Sequence, residues 1–215
     1  MDTQVEHDEM AEKELRTVLE GAAGLSRLCS RALIEEPTQE LVDEVVRAAD
    51  AMGVAPAGAV VADEGLRQRF FDRMVVTSTP FFVPLTESAV TRRLPMDGRT
   101  RYGSLSGPRA DHALQCYRAV GFSYGSIKGC PAVVQGLRPD SMAVELAFVC
   151  ALAQSALGEG GANAVRLLGE FVRSHTRWFA DAAMCLSGHG EDLYATVAAM
   201  SARLAQGLEE VLAPS

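Results

Sequence analysis

The sequence predicts an all-α fold, and three observations support this prediction. Apolar residues recur at three- and four-residue steps in every long segment, which is the period of one face of an α-helix. No long segment shows the alternation of apolar and polar residues that marks a half-buried strand. Glycines and prolines interrupt the apolar pattern at intervals that suit helices joined by loops. We therefore expect a bundle of roughly seven or eight helices.

The first three predicted helices occupy the N-terminal third of the chain. The first covers about residues 9–33, where the apolar residues form one amphipathic face, and it ends before Pro37. The second starts at Thr38, and Gly53 closes it. A third runs from about residue 63 to residue 76 and carries two adjacent phenylalanines.

The middle of the chain combines loops with shorter helices. Pro80 and Pro84 bracket an aromatic and aliphatic run, which we expect to be extended or turned because proline disfavours helix in the residue before it. A short helix is expected from Thr86, and a longer one from about residue 108 to residue 120.

Residues 121–139 form a long connection without a regular period, in which residues 132–134 are a candidate for a short extended piece. Long connections inside a domain are uncommon and are often functional. We expect residues 1–215 to form a single helical domain. The loop at 121–139 is then the candidate hinge between its N- and C-terminal parts.

The chain next passes from a loop at Arg138 into its most apolar helix. Pro139 suits the last loop position or the first helical one, because its φ is preset and it lacks an N–H. Asp140 or Ser141 can accept a hydrogen bond from a free N–H of the first turn, and Asp140 also meets the positive end of the helix dipole. A helix that is apolar on nearly all sides is a central helix, packed by others all round.

Glu145 is the anomaly in this central helix, since a buried carboxylate is costly unless it is paired or lies at a rim. Two interpretations remain open. In the first, this is a core helix whose Glu145 points out near the N-terminus. In the second, the loop-to-helix junction is a recognition site.

Two further helices complete the expected bundle. Residues 158–161 break the central helix, and we expect Asn163 to cap the next one. That helix places His175 and Trp178 on one side together with several apolar residues. A glycine pair separates it from the last helix, at about residues 191–212.

Composition and charge exclude several classes of protein. The formal net charge is −8 and the isoelectric point about 5.1, which argues against a nucleic-acid binder and suits a basic partner. The N-terminus is acidic and lacks the basic and apolar regions of a signal peptide. The longest apolar run carries Glu145 and falls short of a clean membrane span. We therefore expect a cytoplasmic protein without a membrane span.

The sequence contains no catalytic or metal-binding motif. The cysteines number five, which is odd, and they form no C-x-x-C pair. The four histidines form no H-E-x-x-H pair, and the loop at 125–129 lacks the spacing of a phosphate loop. Residues 189–192 hold ligand-type side chains, but acidic residues are expected at the start of the last helix anyway. We interpret His175 as a core histidine beside Trp178, since no partner for a catalytic base is evident. We expect no enzyme activity, no metal and no cofactor.

Five ordered segments resemble the TorD family, the cytoplasmic chaperones of molybdoenzymes that also include the DmsD- and NarJ-like proteins. They are residues 27–37 (RLCSRALIEEP, similar to the first helix of the family and its EP exit), 82–88 (FVPLTES, similar to VPPYESVY), 117–122 (YRAVGF, similar to YRAFGL), 138–149 (RPDSMAVELAFV, similar to PDHLGVELAFM) and 171–178 (FVRSHTRW, similar to FLREHLLPW). The match spans about residues 15–185. The ordered set carries the resemblance, rather than any single motif.

The resemblance implies a helical chaperone that binds the twin-arginine signal peptide, or the apoprotein, of a molybdopterin-dependent oxidoreductase. Such a chaperone holds its client in the cytoplasm until the cofactor is inserted and the client is exported. The client-binding residues that the resemblance implies are Pro84, Leu85, Glu87, Ser88, Pro139, Asp140, Ser141 and Glu145. Ser141 stands where the family commonly has His, so the choice of client stays open. A monomer and a domain-swapped homodimer stay open as well.

A twin-arginine leader carries two guanidinium groups and then an apolar stretch. Acidic residues beside an apolar groove would match both parts, because arginine pairs bidentately with carboxylates. The first alternative is a helical ligand-binding or regulatory domain without catalysis, although a basic helix-turn-helix is not evident at the acidic N-terminus. The second alternative is a helical hydrolase with an unrecognised metal.

Overall fold

The computed structural model describes residues 2–55, 60–96, 99–158 and 160–213, and it confirms the all-α prediction. Within these ranges there are ten α-helices, a 3₁₀ turn at Tyr124–Ser126 and one two-stranded hairpin. The helices are α1 (Asp2–Ile34), α2 (Gln39–Met52), α3 (Glu64–Met74), α4 (Glu87–Val90), α5 (Pro108–Ala119), α6 (Pro131–Val134), α7 (Met142–Leu157), α8 (Gly161–His175), α9 (Trp178–Ser187) and α10 (Leu193–Val211).

The helix count exceeds the predicted seven or eight for two reasons. Residues 132–134, a candidate for an extended piece, lie in α6, which has only four residues and is too short to show a helical period. The helix expected after the central one is divided into α8 and α9. The Thr176 hydroxyl donates to the Val172 carbonyl oxygen at 2.8 Å, a back-bond that bends helices, and α9 resumes at Trp178.

One further local expectation was wrong, and one element was not predicted. Asn163 does not cap α8, because that helix already begins at Gly161 and the Asn163 side chain instead accepts a hydrogen bond from Arg166. The antiparallel hairpin of β1 (Leu94–Met96) and β2 (Arg99–Arg101) had no signal in the sequence. Strands of three residues are too short to display alternation.

Helix α7 lies at the centre of the bundle, as its apolar sequence predicts. It packs against α1 on one side and α8 on another. Met142 and Leu146 join the larger hydrophobic cluster with α9 and α10, while Val144 and Phe148 join a second cluster with α5 and α8. All four side chains are buried, and each such burial stabilises the fold by about 1.5–3 kcal/mol. The residues before α7 are consequently held between the two clusters.

Among the described residues, no helix combines the length and the apolar character that crossing a lipid bilayer requires.

Candidate functional site

Two segments that are distant in the sequence lie side by side where α4 and α7 begin. The Met142 N–H donates to the Leu85 carbonyl oxygen at 2.9 Å, and the Glu87 N–H donates to the Asp140 carbonyl oxygen at 2.9 Å. These bonds form a single antiparallel bridge between the segments. We call the paired segments, residues 84–88 and 139–145, the junction. The junction contains all eight of the residues that the family resemblance implies for client binding.

The Asp140 side chain caps a helix, but not the helix that it precedes. Its Oδ2 accepts the Ser88 N–H at 2.9 Å, which satisfies one of the free first-turn donors of α4. Ser141 occupies the N-cap position of α7, yet its hydroxyl accepts the Arg138 N–H at 2.8 Å and makes no bond to the helix. The expectation that Asp140 or Ser141 caps the central helix was therefore wrong. Asp140 is fully buried between the two helix starts.

Glu145 is also fully buried, so the interpretation in which it points out of the core was wrong. Its Oε2 accepts the Trp178 indole N–H at 2.8 Å. Its Oε1 has no hydrogen-bond partner among the residues that the structure describes. Burial raises the pKa of Glu145 well above the usual range of a glutamate, and the nearby Glu87 carboxylate raises it further.

A chain of titratable side chains starts at Glu87. Its Oε2 lies 2.8 Å from His175 Nδ1, and His175 Nε2 lies 2.6 Å from His112 Nδ1. The His175 ring lies nearly parallel to the rings of His112 and Phe171, at centroid distances of 4.9 Å and 4.8 Å. His175 is fully buried and hydrogen-bonded, as the sequence predicts for a core histidine.

These side chains form one group, which we call the buried polar cluster: Glu87, Arg109, His112, Glu145, His175 and Trp178. Four members are buried, whereas Arg109 and His112 are exposed at its edge. They come from five helices, α4, α5, α7, α8 and α9. Only Glu87 and Glu145 belong to the predicted site. The sequence signal for His175 and Trp178 was the segment 171–178 in the family resemblance, whereas Arg109 and His112 lie outside every matched segment.

The buried polar cluster reaches solvent on one side of the junction. A cleft of about 580 Å³ is lined there by Glu87, Arg109, His112 and Trp178, among others. Arg109 Nε lies 3.4 Å from Glu87 Oε1, and the Arg109 side chain is half exposed at the mouth. The Glu87 carboxylate therefore connects the buried groups with the cleft.

An apolar groove of about 300 Å³ lies on the other side of the junction. Phe82, Pro84, Leu85 and Leu137 contribute to its wall. The charged residues of the lining are Arg73 and Arg138, and Arg73 is held by Asp192 at 2.9 Å. Glu87, Asp140 and Glu145 are not part of the lining, so the acidic flank that would match a twin-arginine leader is not found in the groove wall.

The eight predicted site residues are thus divided among different environments. Pro84, Leu85 and Ser141 line the groove. Glu87 faces the cleft, and the Pro139 carbonyl oxygen accepts the Tyr117 hydroxyl at 2.6 Å. The remaining three, Ser88, Asp140 and Glu145, are buried. Their contact with a client stays a prediction, and in this conformation a client that arrives from solvent does not reach them.

Comparison with known proteins returned no match among the family models, the curated proteins or the solved structures. The resemblance to the TorD family therefore rests on the five sequence segments alone.

Proposed function

We propose that this protein is a maturation chaperone of a molybdopterin-dependent oxidoreductase, and that its apolar groove binds the apolar part of the client's twin-arginine signal peptide. One observation supports this proposal above others. The segments 82–88 and 138–149, both part of the family resemblance, are joined by backbone hydrogen bonds and together line the groove.

The groove suits a few apolar side chains of a peptide rather than a large ligand. Its volume of about 300 Å³ lies at the lower end of the range for ligand pockets. Each apolar side chain that it buries would contribute about 1.5–3 kcal/mol. Two or three such anchors provide useful affinity while still allowing the client to be released.

The charge of the whole molecule, rather than that of the groove wall, would attract the leader arginines. The net charge of −8 attracts a basic peptide electrostatically before the two molecules are in contact. Since the lining carries arginines and no carboxylate, the two leader arginines would lie outside the groove while the apolar stretch enters it.

The test is co-purification from the native host with a variant that blocks the groove. Ala132 is an exposed helical residue in the groove lining, so Ala132→Trp fills the groove without removing a core contact. Ala51→Trp places the same side chain at an exposed position on α2 and is the matched control. We expect the wild type and Ala51→Trp to retain an oxidoreductase subunit with a twin-arginine leader, and Ala132→Trp to lose it.

The outcomes separate the two parts of the proposal. If Ala132→Trp retains the oxidoreductase as well as the wild type does, the groove is not the binding site. If the wild type retains no oxidoreductase subunit, the chaperone function is wrong, and a helical ligand-binding or regulatory domain becomes the better interpretation.

A further inference from the structure

Three groups of metal-ligand type meet inside the buried polar cluster. His175 Nδ1 lies 2.8 Å from Glu87 Oε2 and 3.8 Å from Glu145 Oε1, and the three ligand atoms lie within 4.8 Å of one another. All three residues are buried. Two carboxylates and one imidazole from three helices therefore face a common point.

The separations between these atoms suit a small ion. Nitrogen and oxygen ligands lie about 2.0–2.2 Å from Zn²⁺, so two of them on a tetrahedral ion are about 3.3–3.6 Å apart. The two separations at His175 Nδ1, 2.8 Å and 3.8 Å, fall on either side of that range. Side-chain shifts of about half an ångström would bring each carboxylate oxygen to ligand spacing from His175 Nδ1. The two carboxylate oxygens lie within 4.8 Å of each other.

Each of the three side chains is oriented by a partner on its other polar atom. Trp178 donates to Glu145 Oε2, Arg109 lies against Glu87 Oε1, and His112 is bonded to His175 Nε2. Metal ligands are characteristically held in this way, with the second ring nitrogen of a histidine hydrogen-bonded to a further group. The atoms left facing inward are Glu87 Oε2, Glu145 Oε1 and His175 Nδ1.

The two carboxylates of the site need a proton or a cation to balance their charge. Glu145 Oε1 is buried and has no hydrogen-bond partner in the described part of the chain, although it points towards His175. Two carboxylates in one buried site repel each other unless a proton or a cation lies between them. Of these two carboxylates, Arg109 forms an ion pair with Glu87 only, and its half-exposed side chain also donates to the Ser174 carbonyl oxygen.

We infer that Glu87, Glu145 and His175 bind one divalent transition-metal ion, of the class that accepts mixed carboxylate and imidazole ligands, such as Zn²⁺ or Mn²⁺. The ion would enter through the cleft that Glu87 lines. Three protein ligands leave at least one position of a four-coordinate ion for water or another group. This inference goes beyond the proposed chaperone function and does not depend on it.

No local motif predicts this site, because its ligands are at positions 87, 145 and 175. The sequence instead led us to expect no metal, and the only ligand-type run that it offered was residues 189–192. A second group in the described residues, His112, Cys116 and His175, shares one histidine with the proposed site but would use its other nitrogen. The experiment therefore has to distinguish three locations.

Zn²⁺ titration by isothermal calorimetry, after dialysis against a chelator and its removal, tests the inference. We expect the wild type to bind about one equivalent, and Glu87→Gln and Glu145→Gln to weaken binding by about tenfold or more. Cys116→Ser and His189→Asn serve as controls for the other two locations and should bind as the wild type does. Thermal denaturation with and without Zn²⁺ verifies that each variant folds and should show a shift only in those that bind.

Three results would overturn the inference. The first is a folded wild type that binds no Zn²⁺, which would mean that a shared proton balances the two carboxylates. The second is unchanged affinity in both glutamine variants. The third is a loss of binding in Cys116→Ser or His189→Asn that matches the loss in Glu145→Gln. None of these results bears on whether an oxidoreductase co-purifies.

Discussion

Glu145 is a fully buried carboxyl group, and the fold opposes its ionisation. The unfolded chain ionises this carboxyl near its ordinary pKa of 4.5, whereas burial raises its pKa in the folded protein. The folded state therefore holds the proton more tightly than the unfolded state does. The stability associated with Glu145 is complete below the ordinary pKa and is lost as pH rises through the raised pKa.

We predict that metal-free Glu145→Gln gains stability relative to the wild type as pH rises above about 4.5. The difference should grow by at most about 1.4 kcal/mol per pH unit, because one proton is involved. Melting temperatures from about pH 4 to about pH 8, in the presence of a chelator, measure this difference.

Glu170→Gln is the matched control, since Glu170 is exposed on α8 in an ion pair with Arg166. Exposed pairs contribute little to stability, so its curve should follow that of the wild type. If the melting temperatures of Glu145→Gln and the wild type changed in parallel over the whole pH range, Glu145 would not be the group responsible for the pH dependence of stability.

Asp140 offers a second prediction at the level of a single hydrogen bond. Asp140→Ala removes the acceptor of the Ser88 N–H and leaves that buried donor unpaired, at a cost of about 1–3 kcal/mol. Asp140→Asn keeps a side-chain oxygen there and should cost less, since Asn caps nearly as well as Asp. Urea denaturation measures the free energy of unfolding of both variants. An equal loss of stability in the two variants would contradict the interpretation that the Asp140 side chain caps α4.

At the scale of elements, α5 stabilises the junction through contacts of Tyr117, although α5 is not part of the junction. Tyr117 is fully buried on α5, and its hydroxyl donates to the Pro139 carbonyl oxygen at 2.6 Å. The ring also packs edge-on against Phe148 of α7 at 4.7 Å, so one side chain connects the loop before α7 with the helix itself. The position of Pro139 consequently depends on a helix that ends twenty residues earlier.

We predict that Tyr117→Phe lowers the free energy of unfolding by about 0.5–1.5 kcal/mol, the net value of one hydrogen bond, while the ring packing is retained. Tyr124→Phe, on the nearby 3₁₀ turn, is the control for removing a tyrosine hydroxyl. Urea denaturation of the three proteins gives the comparison. A Tyr117→Phe variant as stable as the wild type would mean that the bond to Pro139 contributes nothing.

At the scale of the whole molecule, the net charge would determine the long-range attraction for the proposed client. The net charge of −8 belongs to the entire surface, and its field is screened by salt. The apolar groove acts only at contact and is insensitive to moderate salt. The two contributions to the binding of a leader peptide can therefore be separated by ionic strength.

We predict that the affinity for a synthetic peptide with two arginines and an apolar stretch falls as salt rises from about 0.01 M to 1 M, over which the Debye length shortens from about 30 Å to 3 Å. Replacing both arginines by alanine should remove most of this salt dependence. Fluorescence anisotropy of the labelled peptide measures both effects. Affinity indifferent to salt and to the arginines would contradict the electrostatic contribution and leave the groove alone as the binding determinant.

The sequence by itself determined the helical fold class and the central position of α7. Both follow from local patterns, because a period of three to four residues and an unbroken apolar run report which faces a helix must bury. It also identified the segments that form the junction. The sequence did not predict elements of three or four residues, such as α6 and the hairpin, because they are too short to show a periodic pattern of apolar residues.

Only the tertiary structure decided what the polar side chains do. Asp140 caps a helix that begins 53 positions earlier in the chain (140 − 87) and Glu145 meets His175 across the bundle, whereas local rules pair a side chain with its own helix. Burial, which no local pattern reports for a carboxylate, raises the pKa of Glu145 and leaves one of its oxygens facing His175. The physical reason is that helical periodicity depends on neighbours along the chain, while a site built from five helices depends on how those helices pack.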